Sequence, residues 1–225
     1  MIKFEIITIF PELFSSFCSE SIIKRAQKKR LIQIKLCNLR DFTKDVHKSV
    51  DDKPFGGGAG MVMKIEPIYK AVKKIKQVKD FKKQEVKIIL FSPRGKQFDQ
   101  KTAVKLSKLK KIVMICGRYE GIDERVAEYI SDEQISIGNF VIMGGEVAAM
   151  TIMEAVSRLI PGVLGKADSL KATGQNKKKF IEYPQYTRPE IFEPKPCVKW
   201  KVPKVLVSGN HKKIKEWREK HSKIV

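Results

Sequence analysis

The 225-residue chain has few of the residues that staple small folds or build metal sites: four cysteines, three histidines and two tryptophans. Cys18, Cys37, Cys116 and Cys197 stand far apart, with no Cys-x-x-Cys pair and no neighbouring His pair. That spacing argues against a disulfide framework and against a structural zinc site. Cys116 ends an apolar run and reads as a small core residue. No apolar stretch approaches the ~20 residues that a membrane-spanning helix needs. The opening residues, Met-Ile-Lys-Phe-Glu-Ile-Ile-Thr-Ile-Phe, lack the basic front, apolar stretch and cleavage site of a secretory signal. The expected location is therefore cytoplasmic.

Acidic residues are also scarce, 25 Asp and Glu against 46 Lys and Arg, for a formal charge of +21. A hydrophobic content of 42% nevertheless provides for a packed core and sets the chain apart from disordered polyelectrolytes. The charge is unevenly distributed. Residues 1–111 carry a net +16, residues 112–165 a net −5, and residues 166–225 a net +10. A strong positive field favours a polyanion, most simply nucleic acid, because Lys and Arg displace counterions from phosphates. A general preference for Lys would inflate the total, but not the acidic, Gly-containing segment between two basic ones. That segment suits a ligand other than phosphate.

Periodicity gives the order of elements. Lys3–Phe10 is a β-branched run that stops at Pro11, and Leu31–Leu36 is a second strand. Between them, Leu13 to Lys29 has helical spacing and a basic end. Residues 41–62 form a polar, Gly-rich connection. Glu66–Lys79 is amphipathic. Val86–Phe91 and Ile112–Cys116 are strands on either side of a helix at 98–109. Glu120–Ile130 is predicted helical, Gln134–Ile137 a short strand and Glu146–Leu159 an apolar helix. Alternating strands and helices indicate an α/β layer with a mainly parallel sheet. The predicted organisation is a domain over 1–160, a flexible linker over 161–180 containing Lys177-Lys178-Lys179, and a small basic helical domain over 181–225, with a helix near Lys212–Lys220.

Three Gly-containing turns follow strands: Phe91-Ser92-Pro93-Arg94-Gly95, Cys116-Gly117-Arg118-Tyr119-Glu120-Gly121, and Ile137-Gly138-Asn139-Phe140-Val141-Ile142-Met143-Gly144-Gly145-Glu146. Open α/β sheets bind ligands beyond their strands' carboxyl ends, where such turns lie. None of the three is a dinucleotide or triphosphate fingerprint. Two of the three lie in the acidic segment, which suits a ligand with cationic character.

The chain resembles a known family in the segments Ile9-Phe10-Pro11-Glu12-Leu13-Phe14, Pro54-Phe55-Gly56-Gly57-Gly58-Ala59-Gly60-Met61, Gly117-Arg118-Tyr119-Glu120-Gly121-Ile122-Asp123-Glu124-Arg125 and Ser157-Arg158-Leu159-Ile160-Pro161-Gly162-Val163-Leu164-Gly165. Tyr186-Thr187-Arg188-Pro189 and Ser208-Gly209-Asn210-His211 match as well. The family is the bacterial tRNA (guanine-N1)-methyltransferases, and the likeness runs in order from end to end. It implies the SPOUT fold: an α/β domain with a mainly parallel sheet and a deep trefoil knot that holds S-adenosylmethionine, followed by a linker and a small α-helical C-terminal domain. It also implies a homodimer with the active site between subunits, tRNA as partner, methylation of guanosine N1 immediately 3′ of the anticodon, and Mg²⁺ as an optional ion without a dedicated ligand cluster.

By the same resemblance, Ser92, Pro93, Gly117, Tyr119, Ser136, Ile137, Gly138, Phe140, Ile142, Gly144 and Gly145 surround the methyl donor. Without it, Ile137, Phe140 and Ile142 read as core. Guanine N1 carries a proton and is a weak nucleophile, so methylation needs a base for that proton and a positive group for charge growing on O6. The resemblance gives these roles to Asp168 as base and Arg158 at O6, with Glu120 at the target guanine. On their own, Asp168 reads as a solvated linker residue and Arg158 as a helix-end cation. Asp52, Gly58, Gly60, Ser169, Arg188, His211, Lys212 and Arg218 are the implied RNA contacts. Met143 and Ala148 depart from the family pattern, replacing a smaller polar residue and a frequent proline. Two other readings stay open: a knotted methyltransferase with a different base or ribose target, and a non-catalytic RNA-binding protein on the same fold.

Overall fold

The computed structural model describes residues 1–76, 83–164, 180, 181 and 183–224. They form two compact units, Met1–Gly165 and Lys166–Val225. In chain order the first unit contains β1 (Ile2–Thr8), α1 (Ser15–Ser19), α2 (Ser21–Lys28), β2 (Ile32–Asn38), β3 (Asp51–Asp52), β4 (Val62–Met63) and α3 (Ile65–Lys76). It continues with β5 (Val86–Gln97), α4 (Gln100–Leu106), β6 (Lys111–Ile115), α5 (Glu124–Tyr129), β7 (Glu133–Ser136) and α6 (Gly145–Ser157).

The sheet has strand order β2-β1-β6-β5-β7, and every pairing in it is parallel. Its central strands are apolar on both faces because helices cover both. On one face Ile7, Ile88, Leu90, Val113 and Ile115 pack with Ile68, Ala71, Val72 and Ile75 of α3 and Val126 of α5. The alternate residues, Phe4, Ile6, Ile89, Ile112 and Met114, are also fully buried, and α6 packs on β1 and β5.

Three predicted elements differ from the structure. The segment 13–29 is not one helix: a 3-10 turn at Pro11–Phe14 leads into α1, and α2 begins afresh at Ser21, whose φ of 51° breaks the helix. The helix expected from Glu120 starts only at Glu124, where Asp123 accepts from the Arg125 N–H as N-cap and Gly121 has a φ of 141°. Strand β5 runs on past Phe91 to Gln97, but not in register: Phe91 and Lys96 both face Ile135, with the register shifting between them. Residues 92–95 therefore cannot lie extended along β7, and they turn outward. Gly95 is required at their end, since a Cβ there would stand 2.6 Å from the backbone of Gln134 and Ile135.

In the second unit β9 (Ile191–Lys195) and β10 (Val198–Lys201) form an antiparallel ribbon. Two helices follow, α7 (Lys204–Val207) and α8 (His211–His221). The short strands β8 (Phe180–Ile181) and β11 (Lys223–Ile224) pair with each other. The helix expected at 212–220 is α8, capped by the Asn210 side chain, which accepts from the Lys213 N–H at 3.1 Å. The ribbon escapes sequence pattern because Pro194 and Pro196 interrupt its alternation. No helix among the described residues is long and apolar enough to cross a membrane.

Candidate active site

The carboxyl ends of β5, β6 and β7 open on a cavity of about 470 Å³. Each strand sends one loop to its wall: Ser92–Arg94 from the outward turn of β5, Gly117–Ile122 from after β6, and Ile137–Gly144 leading into α6. These are the three Gly-containing turns singled out in the sequence. Ser92, Pro93, Gly117, Tyr119, Glu120, Ser136, Ile137, Phe140, Ile142, Gly144 and Gly145 all line it. Gly138 stands behind the wall, where a Cβ would come 2.3 Å from the Phe140 ring. Ser136 ties that turn together, its hydroxyl donating to the Gly138 carbonyl at 2.9 Å. Cys116 is buried beneath the cavity, and desolvation pushes its thiol well above the ordinary range.

The close approach of β6 to α6 also requires glycine. At Gly145 a Cβ would sit 2.7 Å from Cys116 Cα, and at Gly144 one would sit 2.3 Å from Arg118 Nε. Glu146 follows in the first turn of α6, only 1% exposed. Its carboxylate accepts from the Thr8 hydroxyl at 2.7 Å and from Arg118 Nε at 2.9 Å. The Arg118 guanidinium lies 4.8 Å from the centre of the Phe10 ring. The sequence reading missed this cluster; Arg118 and Glu146 lie in two of the Gly-containing turns and Thr8 in the first strand, but pairing between residues 28 and 138 positions apart has no local signal.

The Gly-rich connection reaches the same place. Asp52 and Val62 pair across β3 and β4, and the Met63 N–H and C=O bond to Gly121 and Asp123. The Glu120 N–H donates to the Met61 carbonyl at 3.0 Å. Gly60, with a φ of 79°, lies against the Glu120 side chain so closely that a Cβ would be 2.4 Å from Glu120 Cγ. Gly58 is exposed on the same loop, with a φ of 124°. Burial, reinforced by the Asp51 carboxylate beside it, raises the Tyr119 phenol above its usual value.

Arg158 is elsewhere. It caps the far end of α6, ten residues beyond Ala148, the last residue of that helix on the cavity wall, or roughly 15 Å. Gly162, just after it, packs on Leu31 at the amino end of β2. Within one chain, then, Arg158 and Glu120 are at opposite ends of the sheet. Asp168 and Ser169 lie outside the described residues. In the second unit Arg188 and Arg218 line a separate cavity, while His211 and Lys212 open α8.

The family model for tRNA (Guanine-1)-methyltransferase TrmD matches residues 2–224. A tRNA (guanine-N(1)-)-methyltransferase of Dictyoglomus turgidum is 51% identical over 222 residues, covering 99% of this chain and 85% of its own. Proteins of the same name from Carboxydothermus hydrogenoformans and Ruminiclostridium cellulolyticum are 50% and 48% identical, each covering 98% of this chain and 82% and 91% of their own. With cavity, motifs and full-length likeness in agreement, the chain belongs to the tRNA (guanine-1)-methyltransferase family.

Proposed function

We propose that the protein transfers the methyl group of S-adenosylmethionine to N1 of guanosine in tRNA, at the position immediately 3′ of the anticodon. The observation that carries this reading is the cavity built by three strand-end loops, with Glu120 on its wall. Its volume is within the ~300–1,000 Å³ typical of small-molecule sites. The lining is suited to a ligand bearing one positive charge: it holds no lysine, and with Arg94 paired to Glu124 and Arg118 to Glu146, Glu120 is the carboxylate that remains on the wall. S-adenosylmethionine, when bound, supplies a methyl group on a cationic sulfur. Ile137, Phe140 and Ile142 would enclose its adenine, and Gly117 and Gly144 let backbone approach it closely.

On the RNA side, Glu120 is held by the Gly60 loop and would accept a hydrogen bond from the guanine edge. Asp168 would take the N1 proton, with Ser169 beside it, and Arg158 would stabilise charge on O6. Because Arg158 stands ten residues of α6 beyond its own cavity, the reading includes a homodimer, in which one subunit's Arg158 serves the other's cavity. Exposed apolar residues at the cavity, Val141 and Met143 on its wall and Val147 in the first turn of α6, at 82%, 90% and 59% exposure, support such an interface. The knotted chain path, the cytoplasmic location and the division into catalytic domain, linker and RNA-facing domain belong to the same proposal. For Mg²⁺, the described residues contain no cluster of three or more His, Cys, Asp or Glu placed to hold a metal ion.

The test is transfer of labelled methyl from the donor to unmodified tRNAs that have or lack guanosine after the anticodon. Label should enter only the former, as N1-methylguanosine. Equal labelling of both would overturn the assignment, and label on another base or a ribose would favour the other knotted chemistry. Asp168→Ala should abolish transfer while donor binding persists; activity within a few-fold of wild type would remove Asp168 as the base.

A further inference from the structure

The second unit contains a cavity of about 480 Å³, built entirely from its own residues and unlike a simple basic patch. Its floor is apolar and includes Ile214; its rim carries Arg188, Arg218 and a single acid, Glu190. Two tyrosines form the wall. Tyr183 and Tyr186 both meet the Trp217 ring edge-on, with centroids 6.5 and 6.3 Å away. Trp217 is itself stacked on His221 at 4.1 Å, one turn further along α8. The Arg218 guanidinium lies 4.8 Å from the centre of the Tyr183 ring. The rings are thus mutually fixed, and Tyr186 remains 50% exposed.

Phosphate contact alone would need the two arginines but neither the apolar floor nor the held tyrosines. A rigid aromatic face beside cations is the arrangement that takes an unpaired base together with its phosphate. We infer that this cavity receives one splayed-out, unpaired nucleotide of the RNA, its base against Tyr186 and the apolar floor and its phosphate at Arg188 and Arg218. The inference rests on the tRNA reading above and adds to it a second nucleotide, other than the one methylated.

The experiment measures binding of the full-length protein to unmodified tRNA across a salt series. Tyr186→Ala should weaken binding roughly five- to hundredfold, the range for losing one base stack, with the salt slope unchanged. Arg188→Ala should instead lower the salt slope by about one. Tyr186→Phe, which keeps the ring, should bind as wild type does and so guards against misfolding. A set of tRNAs with single abasic nucleotides at unpaired positions completes the test. One such lesion should weaken wild type by the same factor yet leave Tyr186→Ala unaffected. Tyr186→Ala binding within twofold of wild type would overturn the inference. So would a weakened variant that still responds to every abasic position as wild type does. These outcomes leave wild-type methyl transfer intact; absence of that transfer would overturn the tRNA reading, and this inference with it.

Discussion

Gly60→Ala tests whether the Gly-rich loop serves to place Glu120. An alanine at a φ of 79° is in the left-handed region, at a cost of about 1–2 kcal/mol. Its Cβ would also be 2.4, 2.7 and 2.9 Å from Glu120 Cγ, Oε1 and Cδ, where ordinary contacts begin near 3.4 Å. Glu120 must therefore move by about 1 Å, a displacement of the size that costs a reaction roughly a hundredfold when it befalls a group at the reacting atoms. Glu120 is exposed, so displacing its side chain costs little packing and the loss should fall on catalysis rather than on stability.

Gly56→Ala is the matched control, because Gly56 has a φ of 85° and a Cβ there would meet nothing within 4 Å. It should incur the strain without the collision. Steady-state methyl transfer should show kcat/KM lower by roughly a hundredfold for Gly60→Ala and by clearly less for Gly56→Ala, with similar shifts in denaturation midpoint. In a Glu120→Ala background, Gly60→Ala should cost no more than the control. Equal losses for the two glycine variants would refute the reasoning, since strain alone would then account for both.

Two further predictions concern the scaffold. Glu146→Ala should destabilise the first unit by about 2–3 kcal/mol in urea unfolding, because the Thr8 hydroxyl and the largely buried Arg118 lose their acceptor; Glu146→Gln, which still accepts from Thr8, should lose about half as much. Asp99 caps α4, and its hydrogen bonds from the Thr102 hydroxyl and N–H hold its carboxyl below the usual range. Its folded pKa is thus depressed, so its stabilisation is present above the unfolded value near ~3.9 and is lost as pH falls through the folded one. Asp99→Ala should cost about 1 kcal/mol at neutral pH, and the gap between the two proteins should close in acid.

What was legible in the sequence was whatever is written locally. The β-branched runs gave the five strands of the sheet, and the glycines after them gave the cavity's three loops. The breaks at Ser21 and Gly121 were hidden because an amphipathic pattern continues through a backbone turn that only positive φ reveals. The continuation of β5 was hidden for the opposite reason: Pro93 and Gly95 look like a stop, but the strand turns out and returns to face Ile135 again. Charge by segment pointed to the acidic stretch that supplies two of the cavity's loops, but the wall itself holds Arg94 and Arg118 beside Glu120 and Glu124. The segment charge could not show that Arg94 and Arg118 are neutralised by Glu124 and Glu146, since each pair joins a strand-end turn to the first turn of a helix 28 or 30 positions along the chain.

The separation of Arg158 from Glu120 gives the homodimer reading its sharpest test. Both residues are assigned to one reaction, yet in one chain they flank the length of α6. If each site takes Glu120 from one subunit and Arg158 from the other, Glu120→Gln and Arg158→Ala homodimers will each retain about a hundredth of wild-type activity or less. After the two variants are mixed, unfolded and refolded together, half of the dimers pair one of each. In such a dimer one site collects both substitutions and the other collects neither. The mixture should therefore regain about a quarter of wild-type activity. A site completed within one chain would place one substitution in every site of every mixed dimer, and mixing would restore nothing. That second result would require Arg158 to reach its own cavity across roughly 15 Å, which would remove it from the reaction in this fold.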